Sequence, residues 1–181
     1  LYGWMFALGL VLSIYIHEMG HVASLRHYGI PASAPMFIPG LGAVVRLKAH
    51  PPTKGQDARV GLAGPIWCAG AAIASYLLFK ATGKPIFAGI THTGAVINLF
   101  NLLPIWQLDG GRGIQPLART ERILLAVLGL GIFAYTHEFF VLAVAIGLGI
   151  RAGFGEQGEG GRGATMQFAG LLVVLGALAL V

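Results

Sequence analysis

Charge is scarce in this chain. Only 10% of its 181 residues are Asp, Glu, Lys or Arg, where a soluble globular domain carries about 25%. With 56% hydrophobic residues and a mean hydropathy of +0.76, the chain lacks the polar surface a water-exposed fold requires. Its one cysteine, Cys68, excludes an intrachain disulfide framework and reads as a small apolar side chain buried in a helix. No basic stripe with interleaved aromatics is present, so the net charge of +5 does not point to nucleic acid. There is also no internal repeat, and no polar stretch long enough for an appended soluble domain. These shortages leave a polytopic, all-α membrane protein.

Apolar segments fall at about 1–25, 60–79, 86–103, 123–135, 139–150 and 165–181, which gives about six transmembrane helices when judged against the ~20 residues that cross the hydrocarbon. The first lacks a basic leading region and a cleavage site, so it reads as a span rather than a leader; the start at Leu1 leaves open what precedes it. The fourth and fifth are short. Placing His137 and Glu138 at a turn between them keeps both out of the hydrocarbon, so a helical hairpin is expected rather than one long helix. Gly153 to Gly163 is so rich in glycine that it reads as a flexible linker before the last span. The expected division is a catalytic membrane core at 1–112, an accessory hairpin at 113–152, the linker at 153–163 and a last span at 164–181. The short β-prone runs Met36-Phe37-Ile38 and Ala43 to Leu47, separated by Pro39-Gly40, suggest a loop or hairpin at the membrane surface.

With six spans, ten of the twelve basic residues fall on one side and only Lys80 and Lys84 on the other. By the positive-inside rule the larger group is cytoplasmic.

At the end of the first span stands His17-Glu18-Met19-Gly20-His21. Imidazoles four positions apart on a helix project from one face, so they can hold one Zn²⁺ while the intervening Glu reaches its water. Six His and five Glu in this length would produce such a pattern about 0.005 times by composition alone. Ionisable groups at membrane depth are costly and mark chemistry, conduction or binding. Five residues separate His21 from Arg26, so the pair would lie roughly 7–8 Å from the cytoplasmic end of the helix. Catalytic zinc takes a third protein ligand, and the candidates are Asp109, His27, His50, His92, His137, Glu121 and Glu138. Asp109 follows the third span at the depth of His21. The other Asp, Asp57, sits in the basic loop and is expected to be solvated. Pro104 and Gly110-Gly111 around Asp109 suggest a non-helical segment able to present a carboxylate.

Two motifs in order on two spans, His-Glu-x-x-His at 17–21 and Asn-x-x-Pro-x-x-x-Leu-Asp-Gly at 101–110, resemble the site-2 protease family of intramembrane zinc metalloproteases. Ala63-Gly64-Pro65-Ile66-Trp67-Cys68 is a weaker echo; the family commonly has a small polar residue near the position of Cys68, and Pro near Trp106-Gln107. The resemblance implies His17, His21 and Asp109 as ligands of one catalytic Zn²⁺ and Glu18 as general base, on a core of the first three spans. It implies an endopeptidase whose partners are a transmembrane protein substrate and membrane lipid. The alternatives are a metal transporter or sensor using the same residues without hydrolysis, and a membrane zinc hydrolase of another class. Nothing in the residues sets an oligomeric state.

Asn101 is a candidate for stabilising an oxyanion or for satisfying backbone groups freed by Pro104. Asn98 and His92 are expected to pair between helices, and the small residues of the second span, Gly64 among them, to serve close packing.

Overall fold

The computed structural model describes residues 3–32, 36–38, 42–44, 51–105 and 107–181. Seven helices make up most of it: α1 (Gly3–His27), α2 (Lys54–Thr82), α3 (Pro85–Asn101), α4 (Asp109–Gly113), α5 (Arg119–Thr136), α6 (Phe139–Phe154) and α7 (Arg162–Leu178). Between α1 and α2 lies a two-stranded antiparallel hairpin, β1 (Met36–Ile38) and β2 (Gly42–Val44), with Met36 opposite Val44 and Ile38 opposite Gly42. It falls on the β-prone runs; the rest of the second run, from Val45 to Leu47, lies outside the described residues, as does His50.

By length and composition α1 and α2 can cross a membrane, and α6 and α7 are apolar but shorter. Large apolar side chains stand on outward faces, including Trp4, Leu8 and Leu12 of α1 and Leu124 and Val127 of α5. Such faces would be a liability in water and are ordinary against lipid.

The hairpin expected at 137 is present. His137 closes α5 in the left-handed region at φ 55°, and the Glu138 backbone N–H donates to the Thr136 hydroxyl before α6 folds back along α5. The other boundaries depart in instructive ways. Helix α2 starts at Lys54, six residues before the apolar run, because Thr53 accepts the Gln56 N–H as an N-cap. Residues 155–161 are non-helical, but they are no free linker: Gly158 N–H donates to the Leu117 carbonyl, Gly160 N–H to that of Pro116, and Gly161 N–H to the Glu121 carboxylate.

Helix α2 is the central element, packed against α1, α3, α4 and α7. The main core joins its Leu62, Ala69 and Ala72 to Leu99 of α3, Val144 and Leu148 of α6, and Phe168 and Leu172 of α7. Its crossing with α1 is close: a Cβ on Gly20 would stand 2.9 Å from the Trp67 ring and against the Ala63 carbonyl. Small residues permit such approach where hydrophobic burial gives helices little drive to associate.

Candidate metal centre

His17 and His21 occupy the same face of α1 one turn apart, both buried, and look onto α2 at Gly64. A Cβ there would lie 2.7 Å from His17 Nε2 and closer still to His21 Nε2. The glycine expected to serve packing therefore packs against the two imidazoles themselves.

Asp109 arrives from the far side. It is the first residue of the short helix α4 rather than part of an irregular segment; the irregular backbone runs just before it and is held in place. Pro104 packs on α6, where a Cβ on Gly147 would collide with its ring, and the Pro104 carbonyl accepts from Arg151 Nε at 3.1 Å. On the other side Arg112 donates to Asp57 from Nε at 3.2 Å and Nη2 at 2.6 Å. Asp57, expected to be solvated, thus ties α4 to the first turn of α2. Asp109 then stands with Oδ2 at 3.0 Å from His17 Nε2 and Oδ1 at 3.3 Å from His21 Nε2, and the two Nε2 atoms are 3.1 Å apart.

Hydrogen bonds on the outer side of each ring decide what faces inward. His21 Nδ1 lies 2.8 Å from the Val60 carbonyl, which can only accept, so Nδ1 carries the proton. The buried Asn98 amide donates Nδ2–H to the Gly94 carbonyl, which turns Oδ1 toward His17 Nδ1 at 3.1 Å and makes that nitrogen a donor too. Each neutral imidazole is left with an Nε2 lone pair aimed at the other and at a carboxylate. Three acceptors meeting at one point repel unless a cation lies between them. Their separations of 3.0–3.3 Å are close to the edge of a zinc tetrahedron, roughly 3.3 Å for bonds of ~2.0–2.1 Å. His17, His21 and Asp109 are the one group of three such residues that could hold a metal ion among the described residues, and the set fits zinc.

A cavity of about 260 Å³ opens beside this cluster between α1 and α3, and Glu18, Cys68 and Asn101 line it together with His17 and Asn98. Cys68 is buried, as expected, but against the site: it lines the same cavity as His17. Asn101 makes no side-chain hydrogen bond among the described residues, so it is not spent on the backbone near Pro104. The remaining candidates lie elsewhere. His92 Nδ1 donates to the Ala179 carbonyl at 2.8 Å, His27 stacks edge-on with Tyr28, His137 and Glu138 form the α5–α6 turn, and the Glu121 carboxylate accepts from Ala118 and Gly161. The roles of Asn98 and the Val60 carbonyl in orienting the imidazoles went unread in the sequence. Polar Asn98, one turn before Asn101, offered a faint signal; a backbone carbonyl offers none.

Residues 5–94 match the model of peptidase family M50. The chain is 27% identical over 108 residues to zinc metalloprotease MJ0392 of Methanocaldococcus jannaschii, a match covering 57% of this chain and 31% of that protein. It is 32% identical over 107 residues to stage IV sporulation protein FB of Bacillus subtilis, covering 57% of this chain and 36% of that protein. The aligned stretches thus take in about a third of each relative's length. The family match includes His17, Glu18 and His21 and stops short of Asp109, whose place in the site stands on the geometry above.

Proposed function

The chain belongs to peptidase family M50, and we propose that it is an intramembrane zinc endopeptidase that hydrolyses peptide bonds in or beside a transmembrane segment of a membrane-protein substrate. The observation that carries this reading is the convergence of His17, His21 and Asp109, drawn from α1 and α4, with Glu18 on an adjoining cavity.

In this reading the three residues hold the metal. Zinc, when bound, supplies Lewis acidity that polarises a carbonyl and makes water easier to deprotonate. Glu18 takes a proton from the attacking water and returns it to the leaving amine. Asn101, facing the cavity, donates to the oxygen on which charge develops. Asn98 and the Val60 carbonyl hold both imidazoles in the tautomer that leaves Nε2 free.

An integral membrane protein is supported by the family and by the two long apolar helices. We place six spans in α1, α2, α3, α5, α6 and α7. The four shorter ones, of 16–18 residues, reach about 24–27 Å, a little under the ~30 Å hydrocarbon, and local thinning accommodates them. The segments given to the cytoplasm meet at one end of the bundle: Asp57 with Arg112, Glu121 with Gly161, and Arg122 with the Arg151 carbonyl. The site lies near that face, where water can enter. A substrate helix hides its amides in its own hydrogen bonds, so it must unwind before attack, and the β1–β2 hairpin can hold the extended strand by edge pairing.

The test is zinc content together with cleavage of a transmembrane substrate by wild type and Glu18→Gln. The variant is expected to keep stoichiometric zinc and lose nearly all turnover. Wild-type turnover in the variant refutes the role of Glu18; zinc with no cleavage by either protein favours a metal carrier or sensor.

A further inference from the structure

The cavity beside the metal centre extends past the groups the reaction needs. Leu10 and Ile14 of α1 carry the His17 face toward the start of that helix, and Ile97 and Phe100 of α3 form the opposite wall. Gly94 also lines it and leaves room, since even an added Cβ would find its nearest neighbour, Ala72 Cβ, at 4.0 Å. Helix α1 meets α3 far less extensively than α2 meets either, so the slot is the seam between two helices that share a partner.

We propose that this slot is a side-chain subsite: it accepts one large apolar side chain, such as Leu, Ile or Phe, from the substrate residue next to the scissile bond. The inference rests on the peptidase reading. Glu18 and Asn101 share this cavity with the apolar walls, so a peptide whose carbonyl lies at those groups places a neighbouring side chain against Leu10, Ile14 and Ile97.

Away from Glu18 and Asn101, which face the reacting carbonyl, the polar side chains Ser13 and Asn98 on the walls are already engaged. Ser13 Oγ donates to the Gly9 carbonyl at 2.9 Å, and Asn98 uses both ends of its amide. A polar side chain entering the slot would lose water without gaining a partner, at about 1–3 kcal/mol, whereas an apolar one gains by burial. At about 260 Å³ the space falls below the usual range for whole ligands, roughly 300–1,000 Å³, and suits one side chain rather than an intact helix.

The experiment uses the full chain, zinc-loaded in detergent, with matched substrates carrying Ala, Leu, Phe or Asp at the residue on each side of the cut. At one of the two positions wild type should favour Leu over Ala and Asp by tenfold or more in kcat/KM, in keeping with about 10–200-fold for a methylene in an apolar pocket. Ile97→Ala, which widens the slot, should shift preference toward Phe, and Ser13→Leu, which narrows it, toward Ala, both with zinc content unchanged. Cleavage with one unchanged ranking in all three proteins overturns the subsite and leaves the peptidase reading standing. Zinc-loaded wild type that cleaves no member of the series faster than Glu18→Gln overturns both.

Discussion

Gly64→Ala adds one methyl group to the chain at the point where the metal centre has no room for it. The new Cβ would lie 2.6 Å from His21 Cε1 and 2.7 Å from His17 Nε2, whereas ordinary contact begins at 3.4 Å. The imidazoles or helix α2 must therefore move by about 1 Å, since His21 Nε2 would lie closer still, in an interior packed too densely to absorb the shift freely. The rings are pinned from behind by Asn98 and the Val60 carbonyl, so the displacement falls on the position of Nε2. Overpacking of this kind costs about 1–3 kcal/mol, and if that cost is borne by the ligand geometry, zinc affinity falls roughly 5- to 150-fold at about 1.4 kcal/mol per decade. The assay is a chelator-competition titration of detergent-purified protein, with thermal unfolding measured in parallel. Two substitutions frame the result. Gly70→Ala, on the same helix with nothing within 4 Å of its Cβ, should leave zinc affinity unchanged and gain up to about 1 kcal/mol in helix propensity. Gly129→Ala, whose Cβ would meet Ala145 Cβ at 2.9 Å in the α5–α6 hairpin, should lower stability and spare zinc. A folded Gly64→Ala protein with wild-type zinc affinity would refute the site as drawn.

Asp109→Asn should weaken zinc binding strongly, while Asp57→Asn, which frees Arg112 from its partner, should lower thermal stability and keep the metal; equal zinc retention by metal analysis would remove Asp109 from the ligand set. Asn98→Ala should cost about 10- to 100-fold in zinc affinity, with Asn98→Asp recovering much of it because an acceptor again faces His17 Nδ1; equal loss in both would show that Asn98 merely fills space. In a Cys68→Ala background, a cysteine at Gln115 should react with an impermeant thiol reagent only from the cytoplasmic face and one at Thr82 only from the opposite face, and the reverse pattern would invert the topology.

The helices other than α4 were legible because their apolar runs stand apart from segments that carry nearly all the charge, whereas Gly110-Gly111 pointed away from the helix that begins at Asp109. The β hairpin was legible from β-branched and aromatic residues around Pro39-Gly40. The α5–α6 turn could be argued in advance because burying His137 and Glu138 in a continuous span is expensive, and its means, a left-handed His137, is a local backbone property. Depth made Asp109 one candidate for the third ligand, and the resemblance to the site-2 protease motifs singled it out. Contacts between distant segments were another matter. Asp57 looked like a solvated loop residue because its partner, Arg112, is 55 positions away, and the linker's glycines suggested flexibility because composition does not show that the carbonyls of Pro116 and Leu117 and the carboxylate of Glu121 receive their N–H groups.

Cys68 and Asn98 show why the rest of the site resisted reading. Each is an unremarkable residue on an apolar helix, and what makes it matter is the rotation of that helix about its own axis. One residue of helical phase is about 100°, enough to turn Asn98 from His17 to another neighbour. In water, an amphipathic stripe announces such a phase, because the polar face must look outward. Here lipid-facing and core-facing surfaces are both apolar, and the pattern that would orient α2 and α3 is erased. What sets the phase instead is size: Gly20 and Gly64 admit α1 and α2 to close approach, and that contact turns the His pair, the Val60 carbonyl and Cys68 toward one point. Substituting Gly64 is therefore a test of fold and site together, since the same missing side chain brings the helices together and leaves room beside the ligands.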